Sequence, residues 1–388
     1  MMAVSRTDTS LLGRWWWSVD RWTLAALLAL VAIGYVMMLS ASPAVAERIG
    51  ASSRHMFLAR QVFYSAIAVV VMVAVSLCSP RWVLRLALLG ALGALVLTAA
   101  TLVIGVEIKG ARRWLPIPGL SLQPSEFLKP CLAVVCGWLL AEGKRSRRFP
   151  GLLIAFGCIG IVAVLLKQQP DIGMLAVIVM VFLAQVFVSG INLFWVAIAG
   201  CAVPLLGVLA YMFHPHVRSR VQRFLDPEAG DNFQIRMSLE AFGNGGLLGR
   251  GPGEGRVKDV LPDAHADFVF PVVGEEFGLV ICLVILAIFA FVVIRGLVRL
   301  MPERDPYVSL AATGLLTQFG LQAFINMGSS LHLIPTKGMT LPFVSYGGSS
   351  VVALALGMGF LLALTRKRMP RADDTQPFLA GGRAPAMS

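Results

Sequence analysis

Residues 22–40 read WTLAALLALVAIGYVMMLS, a run without a single acidic or basic side chain. As a helix rising about 1.5 Å per residue, such a run reaches nearly across the roughly 30 Å of hydrocarbon in a bilayer. Backbone amides in lipid have no water to bond, so a helix that pairs them internally, or a closed barrel, is required. Barrel strands are shorter and alternate apolar with polar residues, which this run does not. Residues 22–40 therefore predict a membrane-spanning helix. Working outward, the same reading gives further spans at 57–78, 82–106, 125–142, 149–167, 171–189, 192–213, 268–294, 306–330 and 343–365. The expected fold class is an all-α integral membrane protein, a polytopic bundle of about ten transmembrane helices with a long outer loop between helices 7 and 8.

Composition agrees. The 388 residues are 57% hydrophobic and only 14% charged, against roughly 25% charged in soluble domains, and the mean hydropathy is +0.78. Such a chain has too little polar surface to face water on all sides. Basic residues occupy every second connection: Arg6, Arg14 and Arg21, then Arg81 and Arg85, then Lys144, Arg145, Arg147 and Arg148, then Arg295, Arg299 and Arg304, then Arg366, Lys367, Arg368 and Arg371. Cytoplasmic loops favour Lys and Arg, so both ends are expected in the cytoplasm. This pattern explains most of the net charge of +12 without nucleic-acid binding. The expected layout is a cytoplasmic segment 1–21, a membrane domain 22–366 with outer loops 107–124, 214–267 and 331–342, and a disordered cytoplasmic tail 367–388. The first span reads as an uncleaved signal anchor, and Trp15, Trp16, Trp17 and Trp22 suit its interfacial edge. Cys78, Cys131, Cys136, Cys158, Cys201 and Cys282 lie in apolar runs without a CxxC pair and read as packing residues.

Two outer segments are too polar for plain connectors. One is VEIKGARRWLPIPGLSLQPS, 106–125; the other, 214–267, carries Asp226, Glu228, Asp231, Glu240, Glu254, Asp259, Asp263 and Asp267 together with FGNGGLLGRGPGEG, whose glycines suit tight turns and close backbone approach to a ligand. Ionisable groups at membrane depth are costly unless paired or solvated, so each is a candidate. Glu126 and Lys129 stand three apart, on one helical face, as a structural ion pair or a substrate-lining pair. Arg112 and Arg113 adjoin Trp114 on the outer side, where a guanidinium beside an indole suits a lipid phosphate or ordinary headgroup contact. Asp171 follows Pro170 as a helix cap or a functional carboxylate. Asp267 sits at the lip of a span, placed to act as a general base or to cap that helix. Of Glu275 and Glu276, at least one should face a protein interior or an aqueous cavity. His265 is a possible metal ligand by type, but no spacing gives it partners. Lys337 and the SYGGSS run, Ser345, Tyr346, Gly347, Gly348 and Ser349, offer a cation, hydroxyls and amides that suit a phosphate or close helix packing. By residues alone, this is a polytopic protein with an outward polar site for an anionic amphiphile.

Five blocks in order, GARRWLPIPGLSLQPSEFLKP, QQPDIG, NFQIRMSLEAFGNGGLLGRGPGEG, LPDAHADFVFPVVGEE and INMGSSLHLIPTKGMTLPFVSYGGSS, resemble the SEDS family of shape, elongation, division and sporulation proteins, and the division branch more than the elongation branch. The resemblance implies a peptidoglycan glycosyltransferase polymerising lipid II on the outer face of the cytoplasmic membrane at the division septum. It implies a class B penicillin-binding transpeptidase and other division membrane proteins as partners. The family's catalytic aspartate, in a motif written HTDF, falls on Asp267, with Ala266 in place of Thr. The resemblance also extends the substrate-binding expectation to Gln234 and His265. A single base suits inverting displacement of a diphosphate leaving group, whereas a glycosidase needs two carboxylates. Arg113, Lys129 and Lys337 are the expected cations for the departing charge. A divalent cation, Mg or Mn, is an expected accompaniment, and no organic cofactor is expected. A flippase for the lipid-linked precursor, an elongation-type polymerase and a non-catalytic scaffold stand as alternatives.

Overall fold

The structure, a computed structural model, describes residues 10–190, 205–225 and 233–367, apart from 49, 51, 52, 54, 55, 109, 118, 119, 147, 206, 210, 214, 336 and 337 within those ranges. The predicted span 192–213 and Cys201 lie mainly or wholly outside the described residues, and so does most of the expected C-terminal tail. The described residues form a helical membrane bundle.

The helices are α1 (Leu11–Ser18), α2 (Arg21–Arg48), α3 (Met56–Ser76), α4 (Pro80–Ile104), α5 (Pro124–Arg145), α6 (Gly151–Gln168), α7 (Ile172–Val188), α8 (Pro215–Leu225), α9 (Phe233–Gly245), α10 (Val257–Val260), α11 (Val269–Leu300), α12 (Pro306–Ser330) and α13 (Ser349–Leu364). Among the described residues, seven are long and apolar enough to cross a bilayer, and α7 and α13 are shorter apolar helices. Nine predicted spans thus fall on helices. The last starts later than its hydropathy suggests: 343–348 is irregular backbone and the helix begins at Ser349.

Burial sorts the helices into layers. α5 is buried over 89% of its crossing, while α3 and α4 are buried over 22% and turn their remaining faces outward. The central helix therefore carries the polar side chains that lipid would reject, Glu126 and Lys129 among them. α12 and α13 pack beside it.

Two connections carry structure that a hydropathy reading leaves blank. Residues 106–122 form an antiparallel sheet of β1 (Val106–Ile108), β2 (Ala111–Ile117) and β3 (Leu120–Leu122), in that order. Its register pairs Glu107 with Arg112 and Leu115 with Leu122. The long connection before α11 holds α8, α9 and α10, so neither segment is a plain loop.

The glycine-rich run approaches the chain's own backbone closely. Gly278 sits at φ 75°, ψ −178° inside α11 and interrupts its hydrogen-bond ladder, a conformation that favours glycine. The carbonyls of Glu275 and Glu276 accept from the amides of Arg250 (2.9 Å) and Gly251 (3.0 Å). The amides of Leu279 and Val280 donate to the carbonyls of Gly246 (3.0 Å) and Leu247 (3.2 Å). The run 246–251 thus fills the break, keeping the backbone paired.

At the far end of α11, Asp20 accepts from Arg295 Nε at 2.7 Å and Nη2 at 2.8 Å, with Arg299 Nη1 at 3.2 Å. Arg366 donates to Ser18 Oγ (3.0 Å) and the Leu77 carbonyl (3.1 Å). Some of the arginines that set the predicted orientation also lock helix ends together.

Candidate active site

Between α10 and α11 the chain reads LPDAHADF and turns sharply. Asp263 takes φ +54°, a left-handed geometry that Asp tolerates better than most residues. Its carbonyl accepts from Ala266 N at 2.9 Å and Phe268 N at 3.3 Å. The turn buries Ala264, His265 and Phe268 and leaves Asp267 half-exposed, two residues before α11 begins. A helix N-terminus favours a negative charge, so the position suits an ionised carboxylate.

Two residues from other segments fix this turn. Asn326 Nδ2 donates to the Asp267 carbonyl at 2.8 Å and to the Met339 carbonyl at 2.6 Å. Gly338 faces the carboxylate, and a Cβ built on it would lie 2.6 Å from Asp267 Oδ2. The 338–346 loop therefore closes directly over Asp267.

One turn earlier on α12, Gln322 performs a parallel task. Its Nε2 donates to the Thr340 carbonyl at 3.2 Å, and its Oε1 accepts from Lys129 Nζ at 3.0 Å. Lys129 also pairs with Glu126 at 2.7 Å, and its side chain is only 2% exposed. The predicted pair is thus closed on itself and joined, through Gln322, to the loop beside Asp267.

The SYGGSS residues mostly hold that loop in shape. Ser345 Oγ accepts from Leu341 N at 2.8 Å, and the Ser345 carbonyl accepts from Gln61 at 3.4 Å. Ser349 Oγ accepts from Gln123 N at 3.0 Å, and Tyr346 N donates to the His265 carbonyl at 2.9 Å. Gly348 takes φ +49° at the start of α13, while Tyr346 and Gly347 remain half-buried.

His265 forms a triangle of rings with Phe57, 4.5 Å away, and Tyr346, 5.4 Å away, which also meet each other at 5.4 Å between centroids. Burial pushes its pKa down to about 4, Arg48 adding to the effect and Asp263 opposing it, so it is a neutral aromatic neighbour of Asp267 at physiological pH. Gln234 is half-buried near the start of α9, one turn before Ser238, whose hydroxyl donates to the Ser330 carbonyl at 2.7 Å.

Arg113 and Asp171 meet elsewhere. The Arg113 guanidinium donates to the carbonyls of Gln169 (3.0 Å) and Pro170 (2.6 Å) and pairs with Asp171 at 3.5 Å. Asp171 also caps α7, accepting from Met174 N at 3.1 Å, so the sheet is buttoned to the α6–α7 turn. Trp114 is half-buried in β2 opposite Val106, and Arg112 forms an exposed pair with Glu107. Lys337 lies outside the described residues.

Glu275 and Glu276 are both fully buried, and their surroundings are the protein's own loop. Glu275 accepts from Val257 N at 2.9 Å and faces Arg250 at 3.6 Å. Glu276 pairs with Lys258 Nζ at 2.7 Å and accepts from Gly253 N at 3.0 Å and from Ser40.

Among the described residues, no three His, Cys, Asp or Glu side chains converge to enclose a metal ion. The half-exposed Asp267 carboxylate fits a single oxygen ligand of a hard cation, the kind of ion that is held by one or two carboxylates together with substrate phosphates. Sequence reasoning missed Gln322, Asn326 and Thr340. Two amides four apart within an apolar span, hence on one helix face, were the available signal.

Comparison with known proteins is consistent along the chain. Residues 21–369 match the family model FTSW_RODA_SPOVE, described as cell cycle protein. A probable peptidoglycan glycosyltransferase FtsW from Caulobacter vibrioides is 44% identical, covering 99% of this chain and 98% of the relative. The corresponding protein of Geobacter metallireducens is 35% identical over 90% of this chain and 96% of its own length. Among solved structures, a chain of a peptidoglycan synthase complex that coordinates polymerization and crosslinking superposes with a TM-score of 0.74 at 27% identity, covering 89% of this chain and 97% of that one. The rod shape determining protein RodA of Thermus thermophilus gives a TM-score of 0.65 at 26% identity, with 90% and 97% covered.

Proposed function

This chain belongs to the cell cycle protein family of FtsW, RodA and SpoVE and is a peptidoglycan glycosyltransferase, and we propose that it polymerises lipid II with Asp267 as its general base. The observation that carries the assignment is the placement of Asp267. It is a half-exposed carboxylate at the lip of α11, held by its backbone to Asn326 and faced by Gly338.

Glycan extension joins the 4-hydroxyl of an incoming sugar to the anomeric carbon of a chain held on lipid diphosphate. Asp267 takes the proton of that hydroxyl as the new C–O bond forms and the diphosphate departs with the bonding electrons. Diphosphate needs no strong acid to leave, so one base suffices, and attack opposite the leaving group inverts the anomeric centre. General-base catalysis supplies about 10²- to 10⁴-fold, so the larger share falls to positioning and charge stabilisation. Arg113, Lys129 and Lys337 remain the cations proposed for the departing diphosphate. Lys129 is the best supported, because Gln322 links it to the loop over Asp267. Asp267 is the residue that would hold a divalent cation, and such an ion would supply neutralisation of the charge developing on the diphosphate.

On this reading the Asp267 end of the bundle faces the outside of the cytoplasmic membrane, both termini lie inside, and the protein works at the division septum. Its partner is a class B transpeptidase, in keeping with the synthase complex it resembles. Purified protein supplied with lipid II, a divalent ion and the transpeptidase should yield glycan strands, and the Asp267→Ala protein should yield none. Normal strands from that variant would remove Asp267 from the mechanism, and lipid II crossing proteoliposomes without polymerisation would mark a transporter instead.

A further inference from the structure

α12 presents two amides on successive turns, Gln322 and Asn326, to the segments that build the site. Asn326 is fully buried, and its Nδ2 reaches two carbonyls from separate stretches, Asp267 O on the turn before α11 and Met339 O on the loop before α13. One planar amide group thus sets the spacing between the two segments. Its Oδ1 is buried without a hydrogen-bond partner among the described residues. A packing position in an apolar helix is filled more cheaply by an aliphatic side chain, since an orphaned buried acceptor is a net loss. The residue is therefore held for its two donors.

Those donors act where small displacements matter. A Cβ on Gly338, next to Met339, would lie 2.6 Å from Asp267 Oδ2, so the loop and the carboxylate sit at contact distance. Gln322, one turn away, ties the following residue of the same loop, Thr340, and carries Lys129 on its other end.

We propose that Asn326 is a positioning residue for Asp267, fixing the carboxylate against the 338–340 loop by bridging the two backbone carbonyls. This rests on Asp267 being the base, and the two ideas fail separately. The test uses full-length protein with the transpeptidase partner and lipid II, comparing wild type, Asp267→Ala and Asn326→Leu, the last close in volume but without donors. Expected for Asn326→Leu is a kcat lower by about tenfold to a hundredfold, with KM for lipid II within about twofold. The acid limb of its pH–rate profile should move, because the carboxylate no longer holds its place at the α11 N-terminus. Its melting temperature should stay within a few degrees of wild type. A wild-type kcat and pH profile in Asn326→Leu, with Asp267→Ala inactive, would overturn the positioning role alone. Full activity in Asp267→Ala would overturn both. A rate loss that only tracks the folded fraction would show a structural role and also overturn the proposal. Should Asn326→Leu fail to fold, Asn326→Ser, which keeps one donor, is judged by the same readouts.

Discussion

Gly338 and Asp267 are in contact across the site: a methyl group on the glycine would lie 2.6 Å from Oδ2 of the carboxylate, closer than real Cβ atoms approach oxygen. The Gly338→Ala variant should therefore move the carboxylate without touching the hydrogen bond from Asn326 to the Asp267 backbone carbonyl. The expected outcome is a kcat reduced by about a hundredfold, the usual cost of a misplacement near 1 Å, in a protein that purifies and melts like wild type. Polymerisation kinetics beside thermal melting would show it, and unchanged kcat would mean the loop is slack there.

Lys129 and Glu126 should be worth more together than singly. With side chains 2% and 11% exposed, Lys129→Met leaves the buried Glu126 carboxyl without its partner, a loss of about 3–5 kcal/mol. The double variant Lys129→Met, Glu126→Leu should recover much of that stability while remaining catalytically impaired. Melting of the single and double variants in detergent decides it.

His265 should make the fold sensitive to acid. Its folded pKa of about 4 lies below the ordinary 6.5, so the unfolded chain takes up a proton that the folded one refuses. Stability is complete above about 6.5 and falls as the pH drops toward about 4, by on the order of 3 kcal/mol over that interval. Replacing His265 with Phe keeps an aromatic ring packed against both Phe57 and Tyr346 and should flatten the slope.

Asp20 works lower on the scale. Burial raises its pKa, but hydrogen bonds from Arg295 and Thr23 and the charge of Arg299 outweigh it and hold it below the ordinary 3.8. Its stabilisation is present above that value and disappears as pH falls through the folded one. At neutral pH, Asp20→Asn should destabilise the protein by about 3 kcal/mol, since two arginines lose their anion, and an intact melting curve would count against the clasp.

Much of the fold could be read from hydropathy because lipid makes the rule stringent: a long run without charge has few alternatives to a helix. The sheet could not. Pro116 marks 111–117 as a poor strand, yet at Leu115–Ile117 β2 pairs only with β3, so the missing N–H costs little. Gly278 gives no warning of the break either: two residues after the Glu275–Glu276 pair, it opens a gap whose filling depends on a loop some 30 residues earlier. Asp267, His265, Glu126 and Lys129 stood out as polar groups at membrane depth, and Glu126 and Lys129 as a pair, but the contacts of Asp267 and His265 and the link from Lys129 to Gln322 did not. The bridging amides Gln322 and Asn326 acquire meaning only when α12 is seen beside both loops. Arg113 and Asp171 looked like independent candidates and meet each other.

The interruption at Gly278 divides α11 into a short rod, Val269–Phe277, and a long one. The short rod carries Asp267 just before its first turn and is splinted by residues 246–251 rather than by its own continuation. The stretch that carries the carboxylate is thus braced by a separate segment of chain, while the long part of α11 is clasped at its far end by Asp20.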